Sequence, residues 1–248
     1  MKELTAKDLR RRAWTLLAGV NGAAGYGTYV LGLLLNVLVV FVVVLLIAVL
    51  FVGASAGLYA YLNGTASVEP TAGTYVATLG LSAVAVVLFL YVVGFASWGQ
   101  TALAVALVRG GLTARHGLSG WGNGWRMVSL ILWRQTFVFL WMLLFVVPGV
   151  RAFFSYAMTP YLLVDHPDWT PRRCIAESKR MMEGHRWRYF CLNFSFFGWT
   201  LLAAVTSYFF GGLTQLLLTP YVDAACAAFY EDLLDRAETS EPTPPENA

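Results

Sequence analysis

The chain has 248 residues, 58% of them hydrophobic and 12% charged, with a mean hydropathy of +0.63. Such a composition excludes an ordinary water-soluble domain and a disordered polar chain and points to a bilayer. Three cysteines without C-x-x-C spacing exclude a disulfide framework, and Cys174, Cys191 and Cys226 read as reduced packing residues.

Residues 5–17 place Ala6, Leu9, Ala13, Leu16 and Leu17 on one helical stripe opposite Lys7, Asp8, Arg11 and Arg12. Thr5 and Asp8 match a capping box. A helix of this kind lies in the interface plane, and Arg10, Arg11 and Arg12 are candidate contacts for anionic headgroups. Basic residues followed by an overlong apolar run argue for an uncleaved anchor, not a signal peptide.

Residues 21–27 predict a glycine-rich elbow and residues 29–52 the first span, with Asn36 as its one strongly polar residue. Residues 65–73 predict a loop. The 39 uncharged residues from 70 to 108 would overshoot about 30 Å of hydrocarbon as one straight helix. The expectation is therefore a span at 76–97, a bend at 94–99 and an interfacial segment to Val108. Residues 110–124, rich in glycine, read as a flexible loop whose G-x-x-G spacing lacks the G-K-[ST] of a phosphate loop.

The middle of the chain is a predicted hairpin. Spans at 127–147 and 152–165 meet at Pro148-Gly149, where Pro presets φ and Gly tolerates the positive φ of a type II turn. The apolar runs on either side of that turn, 135–147 and 152–164, have only 13 residues each, so shortened spans and a re-entrant pair both fit. Thr170 as N-cap, Pro171 at the first helical position and Gly184 at the end bound a second basic helix. Its Cys174, Ile175, Ser178, Met181 and Met182 share a face, with Arg172, Arg173, Lys179 and Arg180 as further candidate lipid contacts. Spans at 190–210 and 213–230 follow, joined at Gly211-Gly212, with Ala203, Ser207 and Gly211 forming a small-residue row.

The expected fold is thus all-α: a polytopic helical transmembrane bundle of about six spans with two basic amphipathic interfacial helices. Residues 1–236 form one integral membrane domain and 237–248 a disordered cytoplasmic tail. With six spans, 15 of the 17 Lys and Arg fall on one side. The positive-inside rule makes that side cytoplasmic and places both termini there, in a bacterial cell (inner) membrane. The net charge of +3 is uneven, with acids in the tail and bases in the two amphipathic helices. Anionic lipid is the expected partner, a membrane protein a second one, and no nucleic acid is expected because no soluble domain is present to carry it.

An ordered set of motifs supports this reading. It comprises Val147-Pro148-Gly149-Val150, residues 155–161 (Ser-Tyr-Ala-Met-Thr-Pro-Tyr), Asp165, residues 178–184, residues 192–199 and Pro220-Tyr221 before Ala228-Phe229-Tyr230. From about residue 125 to 234 the chain resembles the bacterial integral membrane family called domain of unknown function nine-seventy-five. The resemblance implies a polytopic cell-membrane protein and brings no established reaction, substrate or catalytic residue.

Asp223 is the most informative polar residue, because a carboxylate inside a span costs about 2.5–3.5 kcal/mol and faces a bundle interior or a wet cavity. With Pro220 three residues earlier it suggests a polar kink. Two readings stand: a proton or cation site, or a structural role in which Asp223 pairs with a basic residue such as Arg134 or Arg188 or reaches the inner interface. Thr159-Pro160-Tyr161 and Thr219-Pro220-Tyr221 recur, which fits local packing or a transporter-like repeat. Asp165, His166 and Asp168 lack a metal-ligand frame, and no cofactor motif or hydrolase signature occurs. Two functions compete. One is a non-enzymatic accessory or scaffold component acting through lipid and protein contacts. The other is a permease with Asp223, Asn193, Gln215, Tyr161, Tyr221 and the kinks at Pro160 and Pro220 along a polar path. Convergence of those groups on one cavity discriminates them. A lipid-modifying enzyme built on Asp165 and His166 is a weaker third.

Overall fold

The computed structural model describes residues 5–19, 23–62, 72–210 and 213–240. These residues form nine α-helices, one 3₁₀ segment and no strand. The helices are α1 (Ala6–Gly19), α2 (Ala23–Leu62), α3 (Ala72–Val108), α4 (Gly124–Leu144), α5 (Val146–Ser155), α6 (Thr159–Asp165), α7 (Pro171–Met181), α8 (Arg186–Phe210) and α9 (Leu213–Ser240). Four of them, α2, α3, α4 and α8, are long and apolar enough to cross a membrane. α9 has the length but is diluted by Gln215, Pro220 and Asp223. The joint at Gly211-Gly212, part of the loop at 65–73 and the tail from 241 lie outside the described residues; residues 237–240, expected in that tail, continue α9 instead.

α1 begins with the expected reciprocal cap. The Thr5 N–H donates to Asp8 Oδ2 at 3.0 Å and the Asp8 N–H to Thr5 Oγ1 at 3.4 Å. Its apolar stripe, Leu9, Ala13 and Leu17, is buried against the bundle, chiefly on α9, so protein rather than lipid covers that face. Arg11 and Arg12 stay exposed and Arg10 is half-buried.

The long helices correct two sequence expectations. α2 has 40 residues and α3 has 37, about 60 and 55 Å of helix. Both run on past the spans expected at 29–52 and 76–97, α2 starting inside the expected elbow. α3 passes through Gly94 and Gly99 without interruption because these glycines serve close contact, not bending. A Cβ at Gly94 would strike the Gly124 carbonyl, and one at Gly99 would strike the Gly117 carbonyl.

The partner in those contacts is the stretch expected to be a flexible loop. It contains a 3₁₀ segment, residues 114–121, that folds back along α3 between α2 and α3. Gly117 abuts the Gly32 backbone and Gly120 abuts Phe95, so the G-x-x-G spacing marks where backbone meets backbone. Asn36, 5% exposed, donates from Nδ2 to the Gly117 carbonyl at 2.8 Å and fixes the seam. In a medium where lipid tails are as apolar as side chains, such close backbone packing is what drives helix association.

The central hairpin turns elsewhere than expected. α4 ends at Leu144, Phe145 is extended at φ −159° and ψ 145°, and α5 starts at Val146. Pro148 and Gly149 lie in the first turn of α5, where a Pro lacking its N–H costs nothing. Gly149 does not take a positive φ; it allows α5 to close on Met142 of α4. The expected span at 152–165 is broken at 156–158, leaving α5 and α6 with 10 and 7 residues. α7 follows the sequence closely: Thr170 Oγ1 accepts from the Arg173 N–H at 3.4 Å, Cys174, Ile175 and Ser178 are buried, and Gly184 takes φ +81°.

Candidate functional site

A cavity of about 290 Å³ lies where α3, α4, α6, α8 and α9 meet. α3 contributes Ser97, Gln100 and Thr101, and α4 contributes Met127, Ile131 and Arg134. Ala157, at the break between α5 and α6, lines it with Pro160 and Tyr161 of α6. Tyr189 of α8 and Asp223 and Cys226 of α9 complete the wall.

Asp223 is held from one side. Its Oδ2 accepts from the Tyr29 hydroxyl at 2.9 Å and from Gln100 Nε2 at 2.9 Å, tying α9 to α2 and α3. Two donors to a carboxylate offset much of the cost of placing it inside a bundle. Oδ1 has no hydrogen-bond partner among the described residues.

Arg134 sits ten residues from either end of α4, about 15 Å along the helix each way. It lines the same cavity but makes no ion pair or hydrogen bond among the described residues, with Asp223 or any other group. A guanidinium stays charged and carries five donors, so it needs polar company inside a bundle. The expected pairing of Asp223 with Arg134 or Arg188 is therefore replaced by the Tyr29 and Gln100 contacts. Arg188 instead bonds Asp232, Nη2 to Oδ2 at 2.9 Å, alongside Arg236 of the same helix turn.

Of the other sequence candidates, Pro160 and Tyr161 reach the cavity, and Tyr161 also stacks on Tyr230 at 5.3 Å. Tyr221 packs edge-on against Trp14 and Phe196 instead. Pro220 is buried within a helix that continues through it, so the two Thr-Pro-Tyr triplets occupy unlike places, a helix start and a helix interior. Asn193 donates to the Tyr189 carbonyl one turn back at 2.9 Å, and Gln215 is exposed. Neither lines the cavity. Pro148 and Gly149 lie in the α4–α5 turn and take no part.

Asp165 has a different job from the one considered with His166. Arg109 Nη1 and Nη2 reach its two oxygens at 2.8 and 2.7 Å, and the Tyr230 hydroxyl donates to Oδ2 at 2.7 Å. Arg109 Nε also donates to Glu231 at 2.8 Å, so one guanidinium joins α3, α6 and α9. His166 stacks on Trp169 at 4.0 Å. No three metal-ligating side chains cluster among the described residues.

Among the candidate lipid contacts, Arg172, Arg173, Lys179 and Arg180 are exposed on α7. Arg172 lies over Trp133 at 4.3 Å and Arg173 over Trp169 at 4.2 Å, while Arg180 pairs with Glu177. Rings and carboxylates thus orient three of the four basic heads.

Sequence reasoning missed Gln100 and Tyr29 as the donors to Asp223, and it named Arg134 only as an ion-pair partner. The signal for Arg134 was present: a lone charge at the centre of an apolar helix is a functional-site marker in its own right. Gln100 and Tyr29 carry no such signal, since each is one polar group among many in long apolar helices.

No curated protein and no solved structure matches the chain. Residues 122–237, from just after the 3₁₀ segment through most of α9, match the model of the family described as a protein of unknown function (DUF975).

Proposed function

We propose that the chain is a membrane-embedded module that binds a small polar molecule or lipid headgroup in its central cavity and passes it across or within the bilayer. The observation that carries this reading is the convergence of Arg134 and Asp223 on one cavity without pairing. A scaffold acting only through outer contacts gains nothing from two ionisable groups inside a bundle, each costly to insert. The interrupted helix beside the cavity, broken at 156–158, adds support, since broken helices border binding sites in many transporters.

In this reading the protein resides in a bacterial cell membrane with both termini cytoplasmic, on the strength of its Lys and Arg distribution. The exposed Arg11, Arg12, Arg172, Arg173 and Lys179 contact anionic headgroups on that side. No catalytic role is assigned to any residue.

The test is mass spectrometry of what the full chain retains when extracted from its membrane into nanodiscs. The reading expects a retained small molecule or lipid that is lost in Asp223→Asn and Arg134→Gln while both variants still accumulate in the membrane. A protein partner at near-equal amount, with no molecule sensitive to either substitution, would overturn it in favour of the accessory role.

A further inference from the structure

Resting on that reading, we infer that the cavity takes a zwitterion: an oxyanion seated on Arg134 and an ammonium seated on Asp223. The two side chains line one cavity and lie beyond ion-pair distance of each other. Each has unused hydrogen-bonding capacity. Arg134 has its whole donor fork uncommitted, and Asp223 has Oδ1 uncommitted while Oδ2 is fixed by Tyr29 and Gln100.

Charge balance selects among ligands. Arg134 and Asp223 together sum to zero, so a zwitterion leaves the site neutral. An anion or a cation alone would satisfy one group and leave a net charge inside the bundle, which low-dielectric surroundings penalise. The remaining wall suits the same chemistry. Tyr161 and Tyr189 are aromatic residues of the wall, a residue type that attracts an ammonium, and the Ser97 and Thr101 hydroxyl protons are already committed to the Val93 and Ser97 carbonyls, leaving their oxygens as acceptors. The volume, about 290 Å³, lies at the small end of ligand cavities and suits a molecule the size of an amino acid or a phosphoethanolamine headgroup.

The shared chemistry, an ammonium a few bonds from a carboxylate or phosphate, occurs in free solutes and in lipid headgroups. One experiment separates them. The purified full chain is titrated, with tryptophan fluorescence and native mass spectrometry as readouts, against glycine and glycerophosphoethanolamine as zwitterions. Acetate and inorganic phosphate serve as anions and ethylamine as a cation. In parallel it is embedded in nanodiscs of phosphatidylethanolamine or of phosphatidylglycerol and the retained lipid is counted.

The inference expects a zwitterionic probe, free or as the ethanolamine lipid, to bind about tenfold or more tightly than the singly charged ones, the worth of one charged hydrogen bond. It expects Arg134→Gln to erase the advantage over ethylamine and Asp223→Asn to erase the advantage over acetate and phosphate. Arg134→Lys, which keeps the charge, retains a part of it and reports on the site where a neutral variant fails to fold. Anions binding as tightly as zwitterions would overturn the inference and leave the binding function standing. Absence of binding in every arm, with the wild-type chain folded, would overturn both.

Discussion

Arg109 grips Asp165 with both arms of its guanidinium, joining the first residue after α3 to the last residue of α6 at 2.8 and 2.7 Å. Asp165 is 12% exposed and Arg109 46%, so the carboxylate is the desolvated partner. Arg109→Ala strands it with the Tyr230 hydroxyl as its remaining donor. The expected loss is about 1–2 kcal/mol, at the low end because the guanidinium faces solvent. Arg109→Lys recovers less than half, since an ammonium cannot repeat the fork. The thermal midpoint of the detergent-solubilised chain measures both.

The seam between the 3₁₀ segment and its neighbours makes a paired prediction. Gly117→Ala puts a methyl into the Gly32 backbone and is expected to cost about 1–3 kcal/mol through forced separation. Gly122→Ala, five residues on, meets nothing within 4 Å at φ −88° and is expected to be neutral. Equal melting of the two variants would remove the role given to that seam.

Asp232 sets an acid limit. Burial alone would raise its carboxyl, but hydrogen bonds from Arg236 and Arg188, together with their charges, outweigh burial and hold it below the usual carboxylate range. A group depressed in the folded state contributes stability that is present above its unfolded value near 4 and is lost as pH falls through the folded one. The thermal midpoint of the wild type is therefore expected to drop as the buffer is taken below about pH 4. Asp232→Asn starts lower at neutral pH and shows a flatter profile in that window.

Cys174 is fully buried on the inner face of α7, and burial pushes its thiol up to about 11, only partly offset by its own backbone N–H and by Arg173. At pH 8 about one thiol in a thousand is ionised. In a Cys191→Ser, Cys226→Ser background, maleimide is expected to label the folded chain slowly and the denatured chain at once. Rapid labelling of the folded chain would show that α7 lifts away from the bundle.

What the sequence disclosed divides along physical lines. The starts of α1 and α7 were legible because capping and 3.6-residue periodicity are local, and Thr5, Asp8, Thr170 and Pro171 act within one turn of themselves. The all-helical membrane class followed from hydropathy alone. The glycines were misread, because Gly94, Gly99, Gly117 and Gly149 owe their identity to a backbone far away in the chain, and local rules see only the freedom of φ. Asp223 was found because a carboxylate in an apolar run is conspicuous. Its donors were not, because Tyr29 and Gln100 lie 194 and 123 residues away.

That separation bears on modularity. The family region spans 122–237, yet Tyr29 and Gln100 both precede it. Asp223, near the end of the matched region, thus borrows its hydrogen bonds from a part of the chain that the match does not cover. A fragment cut at residue 122, or a chimera carrying a foreign first half, would inherit Asp223 without its donors. The two halves of this protein thus share one buried polar contact, and neither half carries it alone.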